Sequence, residues 1–510
     1  MSENSPSDLA VLTVAEMAAA DRAMIAAGTP GIVLMERAGQ AVADAVSRRA
    51  GHSARALVLC GPGNNGGDGY VAARLLAGRG HEVTVATSCD LSRLSGDAAE
   101  MASRWNGPVE LAGKVDPAAF DIAIDALFGA GLNRPLDDRH AAIVAALNNA
   151  ALPVVAVDVP SGLSGDTGQA AGIPVAATET VTFFRPKPGH LLQPGRALCG
   201  PVTVADIGIC PGVVFSSDNP PRTFHNAPGL WRSHWPTHDA DTHKFRRGSV
   251  LVLAGGPAGV GAPRLAARAS LRAGAGLATI ACRPEALAAH ASRGPDALMQ
   301  RAIADPGALS ALLADKRLTA AVAGPALGLD GEAQGCVMAM LQSEVPLVLD
   351  ADALTLLANR GAAFLKQVCD SRRAACVLTP HEGEFARLFA GEGDVMGLAS
   401  KLERARRAAA LTSAVIVLKG PDTVIASSDG RATINTAGSP ALATAGSGDV
   451  LGGLIAGLLA QGMPAFEAAC AAVWIHGRAG EELGFGLIAD DLPEAFPPLI
   501  RELATGCRQR

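Results

Sequence analysis

Ala56-Leu57-Val58-Leu59-Cys60-Gly61-Pro62-Gly63-Asn64-Asn65-Gly66-Gly67-Asp68-Gly69 runs from an apolar stretch into a glycine-rich turn, and an alanine- and leucine-rich segment near residues 70–77 follows. A short apolar run closed by glycine reads as a buried strand, and the longer segment behind it as a helix. The same unit recurs with strands expected at 82–87, 120–128, 153–157 and 181–184, then at 249–254, 277–281, 320–323, 347–349, 376–378, 415–418 and 423–426. Alternation of strand and helix defines an α/β chain with doubly wound, parallel sheets. Between the two series, residues 211–248 gather Pro220, Pro221, Pro228 and Pro236 with His225, His234, His238 and His243. That change of composition marks a boundary, so two domains are expected, 1–222 and 223–510.

The composition agrees with this division. At about 150 residues per domain, 510 residues make two large α/β domains as ordinary as three smaller ones. Apolar residues form 49% of the chain, yet aromatics form 4% and charged residues 18%, so small side chains must do most of the packing. A net charge of −6 argues against a nucleic-acid or anionic-membrane partner. The ten cysteines are scattered without a CxxC pair, which signals neither a disulfide framework nor a zinc ribbon and predicts the reducing cytoplasm. The N-terminus shows no secretory pattern. Residues 450–475 are apolar, but Gln461, Glu467 and the break Gly462-Met463-Pro464 divide them into two buried helices rather than a membrane span. His234, His238 and His243 lie near Asp239 and Asp241, but a proline-interrupted segment cannot bring them onto one helix face, and zinc is not expected.

Glycines between a strand and a helix let the backbone approach a phosphate at the helix N-terminus. Gly61, Gly63 and Gly66 with the distant Asp90 would suit a nicotinamide dehydrogenase, whereas the absence of a following Lys-Ser/Thr excludes a Walker loop. Asn64, Asn65 and Asp68 supply more polar groups than a pyrophosphate requires. Asp125 ends another apolar run and precedes Gly129-Ala130-Gly131-Leu132-Asn133-Arg134-Pro135, and Asp158-Val159-Pro160-Ser161-Gly162 repeats the arrangement. One such Asp reads as a helix cap; two beside the glycine loop point to a site. These segments resemble the epimerase domain of the NAD(P)H-hydrate repair enzymes, a Rossmann-like fold. The resemblance implies that residues 64–68 (Asn64, Asn65, Gly66, Gly67, Asp68) and 129–135 bind NADHX or NADPHX, the hydrates with water added at C6 of the reduced nicotinamide ring. It also implies that Asp158 meets the reacting ring, and that Asn65, Asp125 and Ser161 hold K+, whose preference for oxygen ligands suits these residue types.

In the second half, Thr444-Ala445-Gly446-Ser447-Gly448-Asp449 precedes an apolar helix. Backbone N–H groups there form an anion hole for a transferring phosphoryl group, and Asp449 can deprotonate an acceptor hydroxyl. Leu349-Asp350-Ala351-Asp352-Ala353-Leu354, Thr379-Pro380-His381-Glu382-Gly383-Glu384-Phe385 and Lys419-Gly420-Pro421-Asp422-Thr423 place polar residues at three further strand ends. The ordered series resembles the ribokinase-like dehydratase domain of the same repair enzymes. The resemblance implies an adenine nucleotide, ADP favoured over ATP, on Lys419, Gly420, Pro421, Asp422, Thr423 and Gly448 with Mg2+, and the hydrate at Ala262, Gly324, His381 and Asp449. It also implies a homo-oligomer. A small-molecule kinase fused to a nucleotide-binding module is the rival reading.

Overall fold

The computed structural model describes residues 5–51, 53–132, 134–215, 220–239 and 241–507. The chain divides into two compact units, one running Ala10–Thr223 and the other joining Phe224 onward with the N-terminal segment that ends at Leu9. The Leu9 carbonyl accepts from the His225 N–H at 2.8 Å, which ties that segment to the second unit.

The first unit is built on seven strands: β1 (Arg55–Cys60), β2 (Glu82–Thr87), β3 (Val109–Leu111), β4 (Ile122–Ala126), β5 (Val154–Val157), β6 (Glu179–Phe183) and β7 (Val202–Ala205). Their order is β3-β2-β1-β4-β5-β6-β7, and each neighbouring pair is parallel. Side chains alternate across the sheet, as period two demands. Val58, Ile122 and Ile124 pack with the helices Gly31–Ala50 and Asn64–Gly78, while Leu57, Leu59 and Ala123 pack with the helix Asp138–Asn149. The order reverses between β1 and β4, and a parallel sheet opens its ligand crevice at the strand C-termini there.

The second unit carries β8 (Thr223–His225), β9 (Ser249–Leu253), β10 (Leu277–Cys282), β11 (Leu298–Ala302), β12 (Ala320–Ala323), β13 (Leu347–Leu349), β14 (Cys376–Leu378), β15 (Val415–Leu418), β16 (Val424–Ala426) and β17 (Ala432–Ile434) in one ten-stranded sheet. The order is β11-β10-β9-β12-β13-β14-β15-β16-β17-β8. Pairs from β11 to β15 are parallel, whereas β16 and β17 turn back antiparallel. The apolar stretch at 450–475 lies in the helices Ser447–Ala460 and Ala465–Leu483, both largely buried. Gly453 lets the first of them approach the helix Gly261–Arg272 so closely that a Cβ would stand 2.0 Å from the Ala266 carbonyl oxygen. Small residues thus fill the place that aromatics take in other cores. Among the described residues no helix is long and apolar enough to cross a membrane.

The central strands fall where the apolar runs predict them. β3, β7, β11, β17 and β8 have no counterpart in the sequence reading. β3 is exposed at all three positions, β7 at its two middle ones, and β11 contains Gln300 and Arg301. Half-exposed or edge strands need no continuous apolar run.

Candidate functional sites

The first site is a cavity of about 700 Å³ at the C-terminal ends of β1, β4 and β5. Asn64, Asn65, Asp68, Gly129, Ala130, Gly131, Leu132, Arg134 and Asp158 all line it. Gly66, Gly67 and Pro135 are not among its lining residues, and Asn133 lies outside the described residues. The glycines of the first loop serve chiefly to pack. The helix begins at Asn64, and a Cβ on Gly66 would stand 2.1 Å from the Gly61 carbonyl oxygen and one on Gly67 2.6 Å from Met35 Sδ. Of Gly61, Gly63 and Gly66, Gly63 alone would have open space around a Cβ. Asp90 is exposed and caps a short turn by accepting from the Ser92 N–H at 3.0 Å, so the dehydrogenase reading loses its ribose carboxylate.

Asp158 stands on the cavity wall. It has φ +64°, and the Val159 N–H donates across it to the Val157 carbonyl at 2.8 Å, a γ-turn of the rare positive-φ kind. Phe184 repeats the device after β6 with φ +60° and an Arg185 N–H to Phe183 carbonyl bond of 2.7 Å. Such strain costs about 1–3 kcal/mol per residue and persists where the surroundings impose it. Here Lys187 Nζ donates to Asp158 Oδ1 at 2.5 Å, and Thr182 Oγ1 donates to the same oxygen at 2.9 Å. The Ala130 N–H donates to Oδ2 at 3.2 Å. His190 Nδ1 accepts from the Lys187 N–H at 2.9 Å, so Nε2 carries the proton and donates to the Asp158 carbonyl at 2.8 Å. Burial alone raises the Asp158 carboxyl, but the Lys187 ammonium and its hydrogen bond bring it below the ordinary value. Asp68, also deeply buried, is pushed well above the ordinary value by burial and then by Asp158 and Asp21. Burial takes the His190 ring down to about 4, with Lys187 adding to the effect.

Beneath the cavity, Asp125 is fully buried and Ser161 is 1% exposed. Asp125 Oδ1 accepts from Ser161 Oγ at 2.6 Å and Oδ2 from the Ser161 N–H at 2.8 Å. Burial lifts the Asp125 carboxyl to about 6. Asn65 lies above, its Oδ1 beside Gly129, and its buried Nδ2 has no hydrogen-bond partner among the described residues. The carboxylate, hydroxyl and amide oxygens of these residues offer a chemistry that fits a hard cation.

The second site lies at the C-terminal ends of β12 to β15 in the other unit. Lys419 Nζ donates to Asp350 Oδ1 at 2.7 Å and stands 3.8 Å from Glu384. A Cβ on Gly448 would sit 3.5 Å from that ammonium and 3.7 Å from Asp350 Oδ2, which brings the two motifs together. Asp449 occupies the first turn of the helix Ser447–Ala460, where burial and then Asp350 raise its carboxyl to about 7. Asp422 is 5% exposed and its carboxylate accepts from Lys401 Nζ at 2.7 Å. Thr423 Oγ1 closes the turn by donating to the Gly420 carbonyl at 2.9 Å, and Pro421 lies at the surface. His381 caps the helix Glu382–Leu388, its Nδ1 accepting from the Gly383 N–H at 3.0 Å. Ala262 is half-buried in the first turn of the helix Gly261–Arg272.

Gly324 has φ +127°, and a Cβ there would stand 1.8 Å from the Asp350 carbonyl oxygen. Gly324→Ala is therefore expected to destabilise the second unit by about 3 kcal/mol or more, read as a lowered urea midpoint. An unchanged midpoint would contradict this placement.

Sequence reading missed Lys187, His190, Thr182 and Asp21 in the first site. Arg185-Pro186-Lys187-Pro188-Gly189-His190 follows β6 directly, and its position at a strand C-terminus is the signal that could have found the first two. Asp21 sits on the helix Val14–Ala26 without a motif around it.

Two open α/β sheets, each with buried carboxylates and a lysine at its C-terminal crevice, define a two-domain enzyme with a separate site in each domain. Residues 31–189 match the family described as YjeF-related protein N-terminus, and residues 250–489 match NAD(P)H-hydrate dehydratase. The bifunctional NAD(P)H-hydrate repair enzyme of Moorella thermoacetica is 38% identical, with 97% of each chain covered. That of Thermofilum pendens is 38% identical over 92% of each, and that of Escherichia coli 35% identical over 92% of this chain and 90% of its own. The chain belongs to the family of bifunctional NAD(P)H-hydrate repair enzymes. Among solved structures, the ADP/ATP-dependent NAD(P)H-hydrate dehydratase of Bacillus subtilis, co-crystallized with ATP/Mg2+, is 29% identical, covering 55% of this chain and 98% of its own with a TM-score of 0.47.

Proposed function

We propose that the first unit interconverts the R and S epimers of NADHX and NADPHX, and that the second unit dehydrates the S epimer to NAD(P)H at the expense of ADP or ATP. The observation that carries the first half is Asp158, a carboxylate held ionised on the wall of a cavity. Residues 64–68 and 129–135 would surround the dinucleotide. Asp158 Oδ2 takes the proton from the C6 hydroxyl as the N1–C6 bond opens, the oxygen becoming an aldehyde carbonyl and the N1–C6 pair passing to the conjugated N1. After rotation about C5–C6, N1 closes on the other face of the carbonyl and Asp158 returns the proton to the oxygen, general base and general acid in turn. Asn65, Asp125 and Ser161 would hold K+, which supplies fixed positive charge beside an anionic substrate. Incubating the R epimer with the protein in the absence of nucleotide tests this half. Chromatography is expected to show the S epimer forming faster than in buffer, and an equal rate would contradict it.

In the second unit, Asp449 removes the C6 hydroxyl proton and that oxygen attacks the terminal phosphoryl group, releasing AMP from ADP or ADP from ATP. Phosphate then departs with the C6–O bonding pair as the ring nitrogen donates its lone pair, and loss of a C5 proton gives NAD(P)H. Lys419 to Thr423 and Gly448 would meet the nucleotide; Ala262, Gly324, His381 and Asp449 would meet the hydrate. Mg2+ bound with the nucleotide would neutralise phosphate charge. ADP is the favoured donor, and homo-oligomeric assembly in the cytoplasm completes the reading. Because the Asp449 carboxyl ionises at about 7, dehydration is expected to be about tenfold slower at pH 6 than at pH 8. The rise in NADH absorbance measures it, and a flat profile would remove Asp449 as the base.

A further inference from the structure

We propose that Lys187 is a positioning residue of the epimerase, clamping one oxygen of Asp158 so that the other alone is offered to the substrate; the inference rests on the epimerase reading above. Lys187 is 2% exposed, so its ammonium requires a partner inside the protein. Nζ reaches Asp158 Oδ1 at 2.5 Å and Thr182 Oγ1 at 2.9 Å, and Thr182 Oγ1 itself donates to Oδ1 at 2.9 Å. These three side chains close a ring of hydrogen bonds on one carboxylate oxygen. The backbone of Lys187 is tied to the same residue from the other side. Its N–H fixes the His190 ring, and His190 Nε2 donates to the Asp158 carbonyl. Among the described residues Oδ2 accepts a hydrogen bond only from the Ala130 N–H, at 3.2 Å.

Asp158 therefore cannot exchange its two oxygens by rotation without breaking two bonds to Oδ1. A base that must return a proton to the C6 oxygen after inversion gains from such fixing, because misplacement of a reacting group by about 1 Å can cost about a hundredfold in rate. Asp21 and Asp68 lie close enough to Lys187 for their charges to matter, but neither hydrogen-bonds to it among the described residues. Asp158 is thus the carboxylate that Lys187 holds. Lys187 also lines the cavity, so direct binding of substrate phosphate is the competing role.

Steady-state epimerisation of the R epimer by the full chain separates the two roles. Lys187→Met is expected to lower kcat about a hundredfold with KM within about threefold of wild type, and Lys187→Arg to lie about tenfold below wild type in kcat. In the Asp158→Asn background, adding Lys187→Met is expected to change kcat by less than about threefold, since the lysine acts through a base already removed. A raised KM at unchanged kcat, an undiminished Lys187→Met enzyme, or independent multiplying effects of the two substitutions would each overturn the proposal. Dehydration of the S epimer in the same samples reports that the second unit is intact, and the urea transition of the first unit reports on the first. Should Lys187→Met fail to fold, the Lys187→Arg enzyme decides, its wild-type kcat contradicting the clamp and a tenfold loss at unchanged KM supporting it. A wild-type protein that does not interconvert the epimers would overturn the epimerase reading itself, whereas active wild type with an equally active Lys187→Met enzyme overturns the clamp alone.

Discussion

Asp449→Asn is expected to lower the rate of NADH formation from the S epimer by about a thousandfold, while epimer exchange continues at the wild-type rate. The size follows from what is lost, since a positioned general base contributes about 10²–10⁴ and an amide cannot accept the hydroxyl proton. The carboxyl stands beside Asp350 and Lys419 at the start of the helix Ser447–Ala460, where burial keeps it near neutrality in its titration. Asn preserves the shape and relieves repulsion from Asp350, so the substitution should not destabilise the fold. Spectrophotometry of NADH and chromatography of the two epimers separate the effects. Loss of both activities in a folded variant would show that the two units do not work independently, and retention of dehydration would assign the base elsewhere.

Asp158→Asn is the counterpart in the first unit, with epimerisation expected to fall by about a thousandfold and dehydration of the S epimer unchanged. A second consequence follows from the surroundings. Lys187 is buried against Asp158, and leaving an ammonium buried without its carboxylate costs about 3–5 kcal/mol. The variant should therefore show an earlier urea transition in the first unit as well as slow exchange. Asp158→Asn combined with Lys187→Met removes both charges and should recover part of that stability without recovering activity. Recovery of epimerisation in the double variant would remove Asp158 from the chemistry.

The outline of both sheets was legible because their central strands are short apolar runs, several of them closed by glycine. A strand buried on both faces leaves that trace in sequence, whereas β3, β7 and β11 mix polar and apolar residues. Asp125 and Asp158 stand out for a related reason, since in parallel sheets polar residues that follow an apolar run fall in the crevice. Asp449 stands out instead by the glycine-rich turn that opens the helix Ser447–Ala460. Lys187, between two prolines, reads as a surface cation, and its place directly after β6 is the signal that marks it as a crevice residue. The glycines misled in part. Gly66, Gly67 and Gly453 stand where another segment comes too close for a Cβ, and sequence cannot tell that need from the approach of a phosphate. Asp422 reads as a nucleotide contact in Lys419-Gly420-Pro421-Asp422-Thr423, and its pairing with Lys401 was not legible because that lysine lies on a separate helix, Lys401–Thr412.

The central claim is that one chain restores both epimers of the hydrate. Its most direct test is the absorbance of NADH recovered from an equal mixture of R- and S-NADHX, first without nucleotide and then with ADP or ATP and Mg2+. No recovery without nucleotide and recovery of the whole mixture with it is the predicted result. Recovery that stops at half would contradict the epimerase, and none with either nucleotide would contradict the dehydratase.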